Sequence, residues 1–131
     1  MAKRQNVSSG TVWEDIVGYS RTVRVGNQVF VSGTTATDDD GNVVGNNEYD
    51  QSKFILEKIE RSLHTVGAEM RHVVRVIMYV TDANQWEGVG KAHKEFFDDI
   101  RPVSTLVEVS ALIGDPYLVE ISVDAVIHDD E

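Results

Sequence analysis

Hydrophobic and polar positions change period several times along the chain, and each change marks an element. Residues 50–66 carry Ile55, Leu56, Ile59, Leu63 and Val66 at three- and four-residue spacing, the apolar stripe of a helix. Asp50 is placed to cap its start, and Gly67 to end it. Val73 to Val80 is nearly all apolar or β-branched, which predicts a strand buried on both faces. Helical spacing returns over 85–98, with Trp86, Val89, Phe96 and Phe97 toward the core, and Pro102 bars its continuation. Strands at about 104–110 and 118–127 follow. Near the start, the β-rich runs 19–25 and 28–32 flank Gly26-Asn27, a two-residue hairpin turn. Asp40-Gly41 marks another turn, leading to a short strand at 42–44. Residues 1–17 lack periodicity and contain Ser8-Ser9-Gly10, the composition of a loop, and residues 128–131 form an acidic tail. The expected order is β-β-β-α-β-α-β-β. The simplest way to bury these patterns is an α+β fold, a single mixed β-sheet with two helices packed on one face, in one domain spanning 1–131.

Composition narrows the function. At 131 residues the chain is long enough to bury about two-thirds of its unfolded surface. Its longest apolar run, Val76 to Val80, is far short of the ~18 residues of a membrane span, so no membrane role is expected. The first six residues have basic side chains with no apolar core behind them, unlike a signal peptide. Cysteine is absent, which excludes disulfides, thiolate metal sites and thiol nucleophiles, and fits a cytoplasmic protein. The net charge of −10 opposes binding to a phosphate backbone, so no nucleic-acid partner is expected. Asp38-Asp39-Asp40-Gly41 suggests a calcium loop, but the required register puts Ala36 at the first ligand position and Asn47 at the last. A hairpin turn explains it better. His64, His72, His93 and His128 show no metal-ligand spacing, although His93 falls on the second helix near the expected cleft. No metal and no cofactor are expected.

Several short pieces gain meaning from their order. They are Gly18-Tyr19-Ser20, Val25 through Gly33, Gln51, Leu63 with Val66-Gly67-Ala68, Val73-Val74, the strand 76–80 with Thr81-Asp82, Phe96-Phe97 before Arg101-Pro102, and Val107-Glu108-Val109 with Val119-Glu120-Ile121. Together, over residues 18–126, they resemble the YjgF/RidA family of imine and enamine deaminases. The resemblance implies a chorismate-mutase-like sheet, a homotrimer, and a small-molecule cleft at each subunit interface. It also implies that Glu120 is the catalytic acid/base. Tyr19, Ser32 and Gly33 would line the substrate cleft, with Gly33 allowing close backbone approach.

The pattern departs from the active members at Ser104, where an arginine grips the substrate carboxylate. Leu106, on the same strand face, stands where a small residue is common, and Gly90 where asparagine is common. A serine brings neither charge nor a guanidinium fork. A carboxylate ~4 Å from Glu120 with no cation nearby would cost about 4 kcal/mol at an effective dielectric near 20. Weak or no activity on 2-iminopropanoate follows, with some other imine- or enamine-type metabolite as substrate or ligand. The alternative is a non-catalytic, ligand-binding or chaperone-like role. Two residues are candidates to replace the lost cation. Arg21 shares strand parity with Tyr19, and Arg101 precedes the proline. Arg21 can equally be a solvent-facing strand residue, and Arg101 a helix-exit residue paired with Asp98 or Asp99. Glu120 alternates with Ile121, Val123 and Ala125, so it shares its strand face with Ser122 and Asp124, and without the resemblance it reads as an exposed strand-edge glutamate.

Overall fold

Strand periodicity builds a six-stranded sheet in the computed structural model, which describes residues 3–129. Met1–Ala2, and Asp130–Glu131 of the expected acidic tail, lie outside the described residues. The strands are β1 (Arg4–Val7), β2 (Thr22–Val25), β3 (Gln28–Thr34), β4 (Val73–Val80), β5 (Val103–Glu108) and β6 (Val119–Val126). Their order across the sheet is β1-β2-β3-β6-β4-β5. Only β4 and β5 run parallel, because the helix between them provides the crossover that parallel strands need.

Two long helices, α2 (Glu48–His64) and α3 (Trp86–Phe97), pack on one another, and α2 packs on β3 and β6. Ile55, Leu56, Ile59 and Leu63 are fully buried, as the stripe predicts. They meet Val29, Val31, Val76, Val80, Val119, Ile121 and Val123 from the sheet. The single mixed sheet with helices on one face is therefore the observed architecture.

Four details differ from expectation. Residues 1–17 are not simply a loop: 4–7 add an edge strand beside β2, and α1 (Val12–Val17) is a short helix. The predicted strand at 42–44 shrinks to one bridge, Thr37 to Val43. The turn before it is held by Asp38 Oδ1, which accepts from the N–H groups of Asp40 and Asn42, with Gly41 at φ 85°. The cap of α2 is Asn47 rather than Asp50: Asn47 Oδ1 accepts from Asp50 N at 2.8 Å. Gly67, at φ 83°, does end the helical stretch, with Ala68 N reaching back to Leu63 O at 3.0 Å. Trp86 is 57% exposed and not in the core, because the buried stripe of α3 runs through Val89, Ala92 and Phe97.

Among the described residues no helix or strand layer covers the second face of the sheet. Its residues include Phe30, Ile77, Tyr79, Val107 and Glu120, and Phe30 and Val107 are about 40% exposed (43% and 40%). In β4 only Val73, Val76, Met78 and Val80 are buried, so the expected burial of both faces is not met within one chain.

Candidate functional site

Glu120 lies in β6, on the uncovered face, directly opposite Tyr79 of β4. The pattern of β6 is the predicted one: Val119, Ile121, Val123 and Ala125 are buried, and Glu120, Ser122 and Asp124 are half-buried on the other side. On its other flank β3 carries an irregularity. Val31 pairs with Val123 but Thr34 pairs with Ile121, so three steps on β3 match two on β6. That bulge turns Gly33 toward Glu120, and a Cβ there would overlap Glu120 Oε2. The missing side chain is what lets the carboxyl lie flat against the backbone. Glu120 and Gly33 line a cavity of about 260 Å³ together with Tyr79, Leu112 and Ser122. Burial pushes the Glu120 pKa above the usual carboxylate range, and the Arg21 charge offsets part of that rise.

Arg21 stands beside this group. Its Nη1 donates to Gly33 O at 2.7 Å and to Thr34 Oγ1 at 3.2 Å. Its Nη2 reaches Tyr19 Oη at 3.5 Å, and the guanidinium sits 5.7 Å from the Tyr19 ring centroid. Tyr19 and Arg21 do come together, but not by strand parity, because β2 starts at Thr22 and both precede it. The solvent-facing reading of Arg21 does not hold, its side chain being 12% exposed. Ser32 is next to them, but its hydroxyl donates to Arg21 O at 3.2 Å.

Behind Arg21 is a residue that the sequence reading missed. Glu14 of α1 is 3% exposed, and its Oε2 lies 3.8 Å from Arg21 Nε. It also accepts from Ser9 N, Ser9 Oγ and Thr11 Oγ1. Burial alone would raise its pKa, but the hydroxyls of Ser9, Thr11 and Ser8 and the Ser9 N–H outweigh burial and bring it to about 2. A signal was present in the sequence. Thr11-x-x-Glu14 is a capping-box spacing at the head of a helix. Here the threonine hydroxyl meets the glutamate side chain directly.

Ser104 and Leu106 lie elsewhere. In register they pair with Val76 and Met78, which are buried against the helices, so they occupy the opposite face of the sheet from Glu120. Ser104 Oγ is 2.7 Å from His93 Nε2 of α3, and the His93 ring packs 4.8 Å from that of Phe97. Burial lowers the His93 pKa, favouring the neutral ring. Leu106 packs at the margin of the core. One turn before His93, Gly90 has only the Trp86 ring near the place of a Cβ, at 3.7 Å. Arg101 joins neither group. It sits at φ 57°, and its guanidinium is bonded to Asp98 O at 2.6 Å and Asp98 Oδ1 at 3.1 Å, the helix-exit arrangement.

The candidate residues therefore fall into two separate groups, half-sites of any shared cleft. Glu120 and Gly33 lie on the uncovered face with Arg21, Tyr19 and Ser32 beside them, while Ser104 and Leu106 sit on the helix face of the edge strand β5, where Ser104 meets His93 of α3. Among the described residues no group of three or more His, Asp or Glu side chains is placed to hold a metal ion.

An uncovered sheet backed by two helices, with a carboxyl laid over a glycine bulge, defines a class of small α+β protein. The family model described as Endoribonuclease L-PSP matches residues 12–127. A RutC family protein of Pyrococcus abyssi is 34% identical over 98 residues, covering 74% of this chain and 77% of that protein. The crystal structure of Rv2704 from Mycobacterium tuberculosis, described as a member of the YjgF/YER057c/UK114 family, is 44% identical. It covers 95% of this chain and 100% of its own, with a TM-score of 0.88. A putative reactive intermediate deaminase of Escherichia coli, TdcF, is similar at 23% identity, covering 82% of this chain and 84% of its own. The chain belongs to the YjgF/RutC family. Among the described residues no helix is long and apolar enough to cross a membrane.

Proposed function

We propose that this chain is a single-domain, cytoplasmic, divergent member of the family that forms a homotrimer and hydrolyses an imine- or enamine-type metabolite at its subunit interfaces. The observation that carries this reading is the Glu120 carboxyl, half-buried over Gly33 in a cavity, with its proton affinity raised. A carboxyl poised in this way suits proton transfer near neutral pH. As an acid it protonates the imine nitrogen. As a carboxylate it takes a proton from the water that attacks the C=N carbon. Collapse of the carbinolamine then releases ammonia and leaves a carbonyl compound. No step calls for a cofactor, and the net charge of −10 speaks against a nucleic-acid substrate.

The two half-sites support an interface location. They lie on opposite faces within a chain, so a second copy has to bring Ser104 of one subunit toward Glu120 of another. Ser104 supplies no cation, so activity on 2-iminopropanoate is weak or absent. A second reading, a ligand-binding or chaperone-like member without catalysis, is favoured by one observation: the Ser104 hydroxyl already has a partner in His93.

A coupled assay with enamine freshly generated from an amino acid tests the proposal. Parent protein should be slow on 2-iminopropanoate. Ser104→Arg should raise the rate about tenfold to a hundredfold, since a charge-assisted contact is worth roughly 1.5–3 kcal/mol. Adding Glu120→Gln should abolish the gain. A double variant as fast as Ser104→Arg would remove Glu120 from the chemistry.

A further inference from the structure

The two arginines that the sequence offers as replacement cations, Arg21 and Arg101, are both committed to the protein itself. Arg21 is the one beside Glu120, but its fork is taken up by Gly33 O, Thr34 Oγ1 and Tyr19 Oη, and its charge faces the carboxylate of Glu14. Glu14 is held as an anion by two hydroxyls and a backbone N–H. The Glu14 carboxylate, 3.8 Å away, offsets part of the Arg21 charge, and what remains acts on Glu120. Arg101 is exposed and bonded to Asp98. Arg75 projects from the uncovered face opposite Asp124, four residues along β4 from Tyr79, roughly 13 Å away at strand rise. On the other half-site, the polar groups in contact are a hydroxyl and an imidazole.

A carboxylate entering this cleft would lose its hydration and meet, beside Glu120, a guanidinium already bonded to Gly33 O, Thr34 Oγ1 and Tyr19 Oη. An uncharged group loses less. A carboxamide, hydroxyl or unsubstituted imine can also both donate to and accept from the Ser104–His93 pair, since each of those side chains can play either role. Building on the proposed function, we infer that the cleft selects an uncharged imine, enamine or amide-like ligand, and that Glu14 favours this by offsetting the charge of the guanidinium beside Glu120. His93 then acts with Ser104 as a specificity-determining residue. The usual keto-acid imines are excluded by charge, not by shape.

Crotonamide and crotonate test this, because they share a planar skeleton and differ mainly in charge at about pH 7.5. Each is titrated into the intact protein while NMR follows the His93 ring and the Glu120 side-chain carboxyl. Crotonamide should shift both groups and bind at least about tenfold more tightly than crotonate, the cost expected for one uncompensated charge in a partly solvated cleft. Glu14→Gln keeps the shape of the side chain but leaves Arg21 unbalanced, and it should narrow or reverse the preference. Crotonate binding as tightly as crotonamide in the parent protein would overturn the inference and leave the proposed hydrolytic site standing. No shift at Glu120 or His93 with either compound would overturn both. The parent comparison decides the question even if Glu14→Gln folds poorly.

Discussion

At Glu120, function and stability pull in opposite directions. Its folded-state pKa is raised, with burial the largest cause and Arg21 opposing. A carboxyl raised in this way favours the folded state only while it is protonated. The contribution is present below the unfolded-state pKa and is lost as pH rises through the folded value. Once the carboxyl is ionised, its burial works against the fold. Glu120→Gln, which keeps the shape without the charge, should melt higher than the parent at about pH 7 and no higher at about pH 4. Thermal melts at the two pH values check this, and a lower melting temperature at neutral pH would show that the carboxylate is held by interactions stronger than its burial penalty. Glu120 itself was legible in the sequence through strand alternation and family resemblance. Its proton affinity was not, because that depends on the bulge of β3 at Gly33 and on Arg21, which precedes β2.

Among the elements, α1 is one that the sequence concealed. Six residues are too few for a clear helical period, and Val12, Trp13, Ile16 and Val17 are exposed, so no buried stripe marks it. It is held by one polar residue, Glu14, whose hydroxyl partners precede it in the chain. The β1 strand was hidden for a similar reason: Arg4, Gln5, Asn6 and Val7 lack apolar alternation, and pairing with β2 decides their conformation. By contrast α2, β4 and β6 have strong periods and a deep core, and their predicted extents lie close to the observed ones. Glu14 also gives this element a pH signature. Its folded pKa of about 2 lies below the ordinary carboxylate value of 4.5, so its stabilisation is full above the latter and lost as pH falls through the former. The stability gap between parent and Glu14→Gln, measured by urea unfolding, should be widest near neutral pH and close between about pH 4.5 and pH 2. A gap that stays constant over that range would mean that Glu14 acts through packing alone.

For the whole molecule, the uncovered sheet face is the deciding feature. Phe30, Val107 and Val103 on that side are 43%, 40% and 64% exposed, beside half-buried Ile77 and Tyr79, a larger apolar area than scattered surface residues would make. A net charge of −10 per chain resists indiscriminate association, so a partner must match the surface closely enough to offset like-charge repulsion. A symmetric assembly of the chain with itself meets that condition, and the proposed shared cleft, with its residues on two sheet faces, calls for one. The assembly should have about three chains, in keeping with the family resemblance of the sequence. Light scattering coupled to gel filtration should therefore give close to three times 14.6 kDa. Phe30→Glu places a charge in the middle of this face, remote from Glu120 along β3, and should shift the mass toward one chain. If the two half-sites work only when brought together, the same variant should lose any deaminase activity and any crotonamide response at His93, although Glu120 and Ser104 are untouched. A parent protein that runs as a monomer at micromolar concentration would leave Glu120 and Ser104 on separate surfaces, and a shared cleft would then have no physical basis.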